Sequence, residues 1–376
     1  MFDLLEQKFR SDGPEAVFDL LIQKARETQD HRMLFGARIM QVRHRTGLPL
    51  IETESVLDLA GEQRTAYETA FRDAAREAGT LCLAAGDIPS AWAYFKAIGE
   101  PAPVAAAIEN VSEGEGALEN LDRVIEIAYR EGVNPRKGFE LILKQHGICS
   151  AITWYGSNPD QESRQQCLRL LVRNLHESVS SAIKETIARA EGGAPETDSL
   201  PELMEARAWL FEGMSSYTDS THLSSILRYA PELEDNETLR MAIDLAEYGQ
   251  RLDPMYHFKG DPPFEDTYAD HAVYLRALAG EDVDLAIAHF REKAAAPARF
   301  PGDTAAAEVL IDLLVRLDRR AEALQASIEY LPAPEGPTNC PSALQLCQLA
   351  GDYATLRNLA RQREDLLGFA AGVVQG

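Results

Sequence analysis

The stretch Ala306–Leu317, AAEVLIDLLVRL, places Val309, Leu310, Leu313, Leu314 and Leu317 at i, i+1, i+4, i+5 and i+8. With 3.6 residues per turn, those positions fall on one face of an α-helix. Asp303 follows Pro301-Gly302 and stands where an N-cap belongs, because its carboxylate can accept from the free N–H groups of a first turn. The pattern predicts a helix with one buried side. The same periodicity recurs over Phe18–Glu27, Tyr67–Ala78, Leu121–Glu131, Leu168–Ile187 and Thr238–Tyr248, and strand-like alternation is nearly absent. The chain reads as all-α.

Turns recur as well. Gly86-Asp87 precedes Ala91 and Phe95, Gly280 precedes Ala286 and Phe290, Asp318 precedes Ala323 and Ser327, and Gly351-Asp352 precedes Leu356 and Ala360. Each turn opens a helix with a small or apolar residue, and a second residue follows four positions later on the same face. Ala286 to Ala323 spans 37 residues and Ala323 to Leu356 spans 33, so the unit repeats. The segment AGTLCLAAGDIPSAWAYFKAIGEPAP (Ala78–Pro103) resembles the tetratricopeptide-repeat family most closely. Gly79 falls on that family's first-helix glycine, Ala91 and Phe95 on its second-helix alanine and aromatic, and Pro101 near its closing proline. The first-helix tryptophan is missing, since Trp92 lies in the second helix. The resemblance covers one early repeat and roughly the last 110 residues. It implies a right-handed α-solenoid of antiparallel helix pairs. Three sections are expected: repeats over 1–135, an irregular helical section over 136–275, and repeats again over 276–376.

Bulk chemistry narrows the partners. The formal net charge is −23 over 376 residues, which repels a phosphate backbone and an anionic membrane surface. A solvated acidic surface is the simple reading, and a cationic partner or metal ions the functional one. No window approaches the roughly 18 consecutive apolar residues of a membrane helix. The N-terminal MFDLLEQKFR is charged from its third residue, unlike a secretory signal. Cys82, Cys149, Cys167, Cys340 and Cys347 are odd in number and scattered, as expected of reduced thiols in a cytoplasmic protein.

Two stretches break the helical pattern. Glu191–Pro201 (EGGAPETDSLP) is a linker by composition. Gln250–Thr267 (QRLDPMYHFKGDPPFEDT) has three prolines and four acidic residues, yet also Met255, Tyr256, Phe258 and Phe264. So many large apolar groups are expected of an ordered loop packed onto something, and such loops often carry function.

Candidate chemistry gathers there. Five of eight histidines lie between His146 and His271, and ten aromatic residues fall in the 66 from Trp209 to Tyr274. Histidine, carboxylate and aromatic groups together suit a ligand pocket or a divalent-metal site. His176, His222 and His271 are the candidate metal ligands. Asp219 and Glu265 are the candidate carboxylate ligands or general bases. Tyr229, Tyr256, Phe258 and Phe264 are the candidate ligand-binding aromatics. Simpler readings stand beside these: Asp219 or Ser220 as a helix cap, Glu265 or Asp266 as another, His271 as a buried structural histidine, and His146 as a last-turn histidine before Gly147. No H-E-x-x-H, phosphate-cradling glycine loop, G-x-S-x-G elbow or EF-hand series occurs. Three functional readings follow. One is a scaffold presenting a concave, acidic, aromatic-lined surface to a protein or peptide segment or a small polar ligand. Another is a metal-dependent, hydrolase-like enzyme. The last is a helical protein with no ligand.

Overall fold

The computed structural model describes residues 1–52, 61–111, 120–157, 161–297, 302–331 and 338–376. Those residues form nineteen α-helices, with no strand. The one extended pairing is an isolated antiparallel bridge between Lys259 and Asp266. The chain divides into two compact units, Met1–Ala151 and Ile152–Gly376.

The first unit holds α1 (Phe2–Asp12), α2 (Pro14–Glu27), α3 (His31–Arg45), α4 (Gly61–Ala84), α5 (Ile88–Ile98), α6 (Ala102–Glu109) and α7 (Leu121–Ile125), the last continued by a π-helical turn over Glu126–Arg130. The helix α8 (Pro135–Gly156) begins here and breaks at Gly147, whose φ of 76° and ψ of 175° leave the helical region. His146 therefore does end a helical run, and it pairs there with Asp122 at 3.3 Å. Consecutive helices pack on one another from α1 to α6. Between α4 and α5, Gly79 meets Phe95, two of the residues that carry the repeat resemblance. A Cβ on Gly79 would come within 2.7 Å of the Phe95 ring, so only glycine lets the ring seat there. Ala91, fully buried beside it, keeps the two backbones close.

The second unit holds α9 (Gln161–Glu191), α10 (Leu200–Met204), α11 (Ser220–Tyr229), α12 (Asn236–Arg251), α13 (Thr267–Leu278), α14 (Val283–Ala295), α15 (Ala305–Arg316), α16 (Arg320–Tyr330), α17 (Ala343–Ala350), α18 (Tyr353–Gln362) and α19 (Leu366–Gln375). From α12 to α19 each helix packs on the next. The core runs through this series from Tyr274 and Phe290 to Leu310, Leu314, Leu346 and Leu356. The turns at Gly280, Asp318 and Gly351-Asp352 separate these helices, and Asp352 caps α18 by accepting from the Thr355 N–H at 2.9 Å. The cap of α15 differs from expectation by one residue. Thr304 rather than Asp303 occupies the position, and Pro301 lies outside the described residues. Residues 192–199, inside the expected linker, form an irregular segment between α9 and α10.

The longest helix, α9, lies against α12 and is joined by charge to the segment running from α11 into α12. Arg164 pairs with Glu232 at 2.7 Å, Arg169 with Asp235 at 2.8 Å, Arg173 with Glu237 at 3.0 Å and His176 with Asp244 at 3.2 Å. Glu232 also accepts from the Tyr155 hydroxyl at 2.8 Å, while the Arg164 guanidinium lies 4.4 Å from the centre of the Tyr155 ring. Of the five cysteines, Cys149 is exposed and Cys82, Cys167, Cys340 and Cys347 are buried.

Candidate functional site

The segment from Leu252 to Asp266 is ordered by its own short hydrogen bonds. Asp253 accepts from the Met255 N–H at 2.9 Å and caps a single 3₁₀ turn, Pro254–Tyr256. Gly260 N–H donates to the Glu265 carbonyl at 3.1 Å, and Phe264 N–H to the Asp261 carbonyl at 2.8 Å. The peptide between Pro262 and Pro263 is cis.

Helix α13 then fastens the segment. Thr267 Oγ1 donates to the Phe258 carbonyl at 2.8 Å, and the Tyr268 hydroxyl donates to the Tyr256 carbonyl at 3.1 Å. Tyr268 is fully buried, and burial raises its hydroxyl pKa to about 12. Its ring fills the place where a Cβ on Gly249 of α12 would project, so the α12–α13 crossing repeats the glycine-on-aromatic device of α4 and α5. A third anchor comes from Tyr256, whose hydroxyl donates to the Met214 carbonyl at 3.0 Å. That bond joins the segment to the 3₁₀ stretch Ala208–Met214.

On its inner side the segment inserts Phe264. The ring stacks on His271 at 4.2 Å between centres and meets Tyr274 and Phe290 at 5.7 and 5.6 Å. His271 is 1% exposed, and its Nδ1 donates to the Thr267 carbonyl at 2.5 Å. Burial outweighs this bond and the neighbouring Asp270, and drives the imidazole pKa down to about 4. His271 is thus a neutral core group. Leu252 is buried at the start of the segment, whereas Met255 and Phe258 are 62% and 41% exposed, and Met214, joined to the segment through Tyr256, is 56% exposed.

Beneath the segment lies a charged cluster. Asp270 is buried and accepts from three donors: Asp266 N–H at 2.9 Å, His289 Nε2 at 2.8 Å and Lys293 Nζ at 2.9 Å. Lys293 also reaches Glu265 at 2.6 Å. Burial works against the lysine's charge, yet its two carboxylate partners prevail and hold its pKa above the usual range. The cluster ties the segment, through Glu265 and Asp266, to α13 and α14.

Each expected site residue has a definite place. Asp219 caps α11, accepting from the Thr221 N–H at 2.8 Å, with His222 in the first turn. Tyr229 lies at the end of α11 and packs on Tyr155 at 4.7 Å. Asp266, not Glu265, caps α13. His176 meets Asp244 on the α9–α12 contact, while His271 lies in the Phe264 cluster. Among the described residues, no group of three or more His, Cys, Asp or Glu is placed to hold a metal ion, so His176, His222 and His271 do not converge. What the structure brings together is Tyr256, Phe258, Phe264 and Glu265, all on the one segment.

Sequence reasoning missed Met214, His289 and Lys293. The last two left one trace: His289 and Lys293 lie four apart and so share a helix face, one helix after the acidic Glu265 and Asp270 that they meet. Met214 carried no such signal, because its neighbourhood depends on a hydrogen bond spanning 42 residues.

A groove of about 550 Å³, open to solvent, lies in the first unit and is lined by residues that include Arg26, Leu34, Arg76 and Glu77. No helix of the described residues is long and apolar enough to cross a membrane. No protein-family model matches the chain, and neither the curated proteins nor the solved structures contain a match to it.

Proposed function

We propose that this chain is a helical-repeat binding protein whose second unit docks a basic, apolar peptide segment of another protein on the face formed by Met214, Met255, Tyr256 and Phe258. One observation carries the reading: a segment fixed by hydrogen bonds at Tyr256, Phe258, Gly260 and Phe264 nevertheless holds large apolar side chains in water. A segment so constrained loses little entropy on binding, and methionine adapts to varied apolar partners. Charge supports the choice of partner. Residues 196–266 carry sixteen acidic and five basic side chains, a field that attracts cations and repels anionic peptides. We further propose that the helix pairs of each unit wind in the right-handed sense of tetratricopeptide repeats, a reading supported by the glycine-on-aromatic contacts at Gly79 and Gly249.

The test is titration of the full chain with fluorescent peptides of matched apolar content and opposite charge. The basic peptides should bind, and Met255→Ser together with Phe258→Ser should weaken them at least tenfold with the melting curve unchanged. Equal binding of basic and acidic peptides, or binding indifferent to both substitutions, would reject the proposal.

A further inference from the structure

The last helix carries a second apolar surface, independent of the first. Its sequence, LLGFAAGVVQ, contains no charged residue, in a chain where a quarter of all residues are charged. One side of it packs on α18. Gly372 is buried there against Leu356 and Arg357, and the Arg357 guanidinium donates to the Gly372 carbonyl at 2.8 Å. Gly368 lies on the same side, close to Ala360 and the capping carboxylate of Asp365. The glycines thus serve the intramolecular contact, and the bulky residues are left outside. Leu366 is 81% exposed, Leu367 84%, Val373 54% and Val374 84%.

These exposed positions form a pattern that reads the same in both directions. Around Ala370 they sit at −4, −3, +3 and +4, with the small residue at the centre. On a helix that spacing is one continuous stripe. Turned end over end about Ala370, the stripe superposes large residues on large and small on small. That is the self-complementarity a two-fold interface requires, with alanine at the crossing where two helix axes approach most closely.

We propose that α19 pairs antiparallel with α19 of a second copy of this chain, about a two-fold axis at Ala370. A chain of net charge −23 repels its own copies at most of its surface, and an uncharged stripe is where two copies can meet without that cost. The antiparallel sense keeps Glu364 and Asp365, at the start of the helix, away from the same pair in the partner, where a parallel pair would bring four carboxylates together. The four large residues leave about 500 Å² open per copy, so two such faces bury up to about 1,000 Å², the lower edge of specific interfaces and the size of a weak, concentration-dependent dimer.

The experiment uses the full chain carrying Cys149→Ser, which removes the exposed thiol. Sedimentation over a hundredfold concentration range should show a monomer–dimer equilibrium. Leu367→Glu should raise the dissociation constant roughly 100-fold or more, because the two-fold axis counts the substitution twice. The side chain is exposed in the monomer, so an unchanged thermal melt shows that folding survives. Ala370→Cys should form a disulfide dimer under mild oxidation, and Leu366→Cys should not, since position 366 faces 374 of the partner. A monomer at every concentration overturns the proposal. So does equal cross-linking at 366 and 370, which marks a parallel pair. Self-association that Phe9→Glu in α1 abolishes, and Leu367→Glu leaves intact, overturns it as well.

Discussion

His271 shows how a residue's environment decides its chemistry. As an imidazole flanked by acidic residues in FEDTYADHAVYL, it suits a metal ligand. In the fold it lies under Phe264 with Nδ1 given to the Thr267 carbonyl, and its proton affinity drops because the charged form cannot be hydrated. The unfolded chain takes up a proton near the ordinary histidine value of 6.5, whereas the folded chain declines it until about pH 4. Between those values the unfolded state binds more protons, so stability falls as pH falls. Above pH 6.5 the group has no effect on stability. At pH 4.5 it costs about 2–3 kcal/mol. His271→Phe, which cannot titrate, should remove that part of the acid sensitivity. Urea denaturation of both proteins at pH 7 and pH 4.5 measures it: a difference near zero between their losses would mean that His271 is hydrated and free to charge. Asp270 and Arg228, the charged groups bearing on His271, remain in both proteins.

At the scale of elements, the ion pairs between α9 and the segment Glu232–Asp244 divide by burial. Arg164 is 17% exposed, and Glu232 accepts from both its guanidinium and the Tyr155 hydroxyl. Arg173 and Glu237 are 42% and 68% exposed, where water screens the pair. Glu232→Gln, by leaving the guanidinium half-buried and short of its partner, should destabilise the second unit by about 2–3 kcal/mol. Glu237→Gln should change stability by less than about 0.5 kcal/mol. Denaturant midpoints of the two variants check the ratio, and equal effects would show that the Arg164 pair is no better shielded than the other. The same contrast explains how far the sequence was legible. Helices declare themselves through local spacing, so the periodic stretches at Phe18, Leu168, Thr238 and Ala306 became α2, α9, α12 and α15. Gly79, Ala91 and Phe95 stood out too, as members of a repeat pattern, although the seating of the Phe95 ring on Gly79 did not. The segment at Gln250–Thr267 read as ordered from its apolar content. Its anchors did not, since Met214 with Tyr256 and Asp270 with His289 depend on pairings between elements that local spacing leaves free. Histidine density was misleading for the same reason: His176, His222 and His271 are neighbours in composition and separate in their packing.

For the whole molecule, charge acts at a range that no single contact reaches. The second unit carries 36 acidic and 20 basic side chains, an excess of 16 negative charges, of which residues 196–266 contribute 11 (16 acidic less 5 basic). A field of this kind raises the rate at which a cationic partner arrives far more than it slows departure. The contacts proposed at Met214, Met255 and Phe258 are apolar, and salt should leave them nearly untouched. Binding of a basic peptide to this face should therefore divide cleanly between the two kinetic constants. Raising salt from about 20 mM to about 300 mM shrinks the screening length from roughly 20 Å to roughly 6 Å, and should slow association about tenfold or more. Dissociation should change by less than about twofold over the same range, because the interface it breaks is apolar. Met255→Ser should do the reverse, hastening dissociation while leaving the salt dependence of association intact. Stopped-flow fluorescence with a labelled peptide resolves both constants. If salt instead acts mainly on dissociation, the bound state is held by ion pairs, and the recognition surface is the acidic rim rather than the methionines.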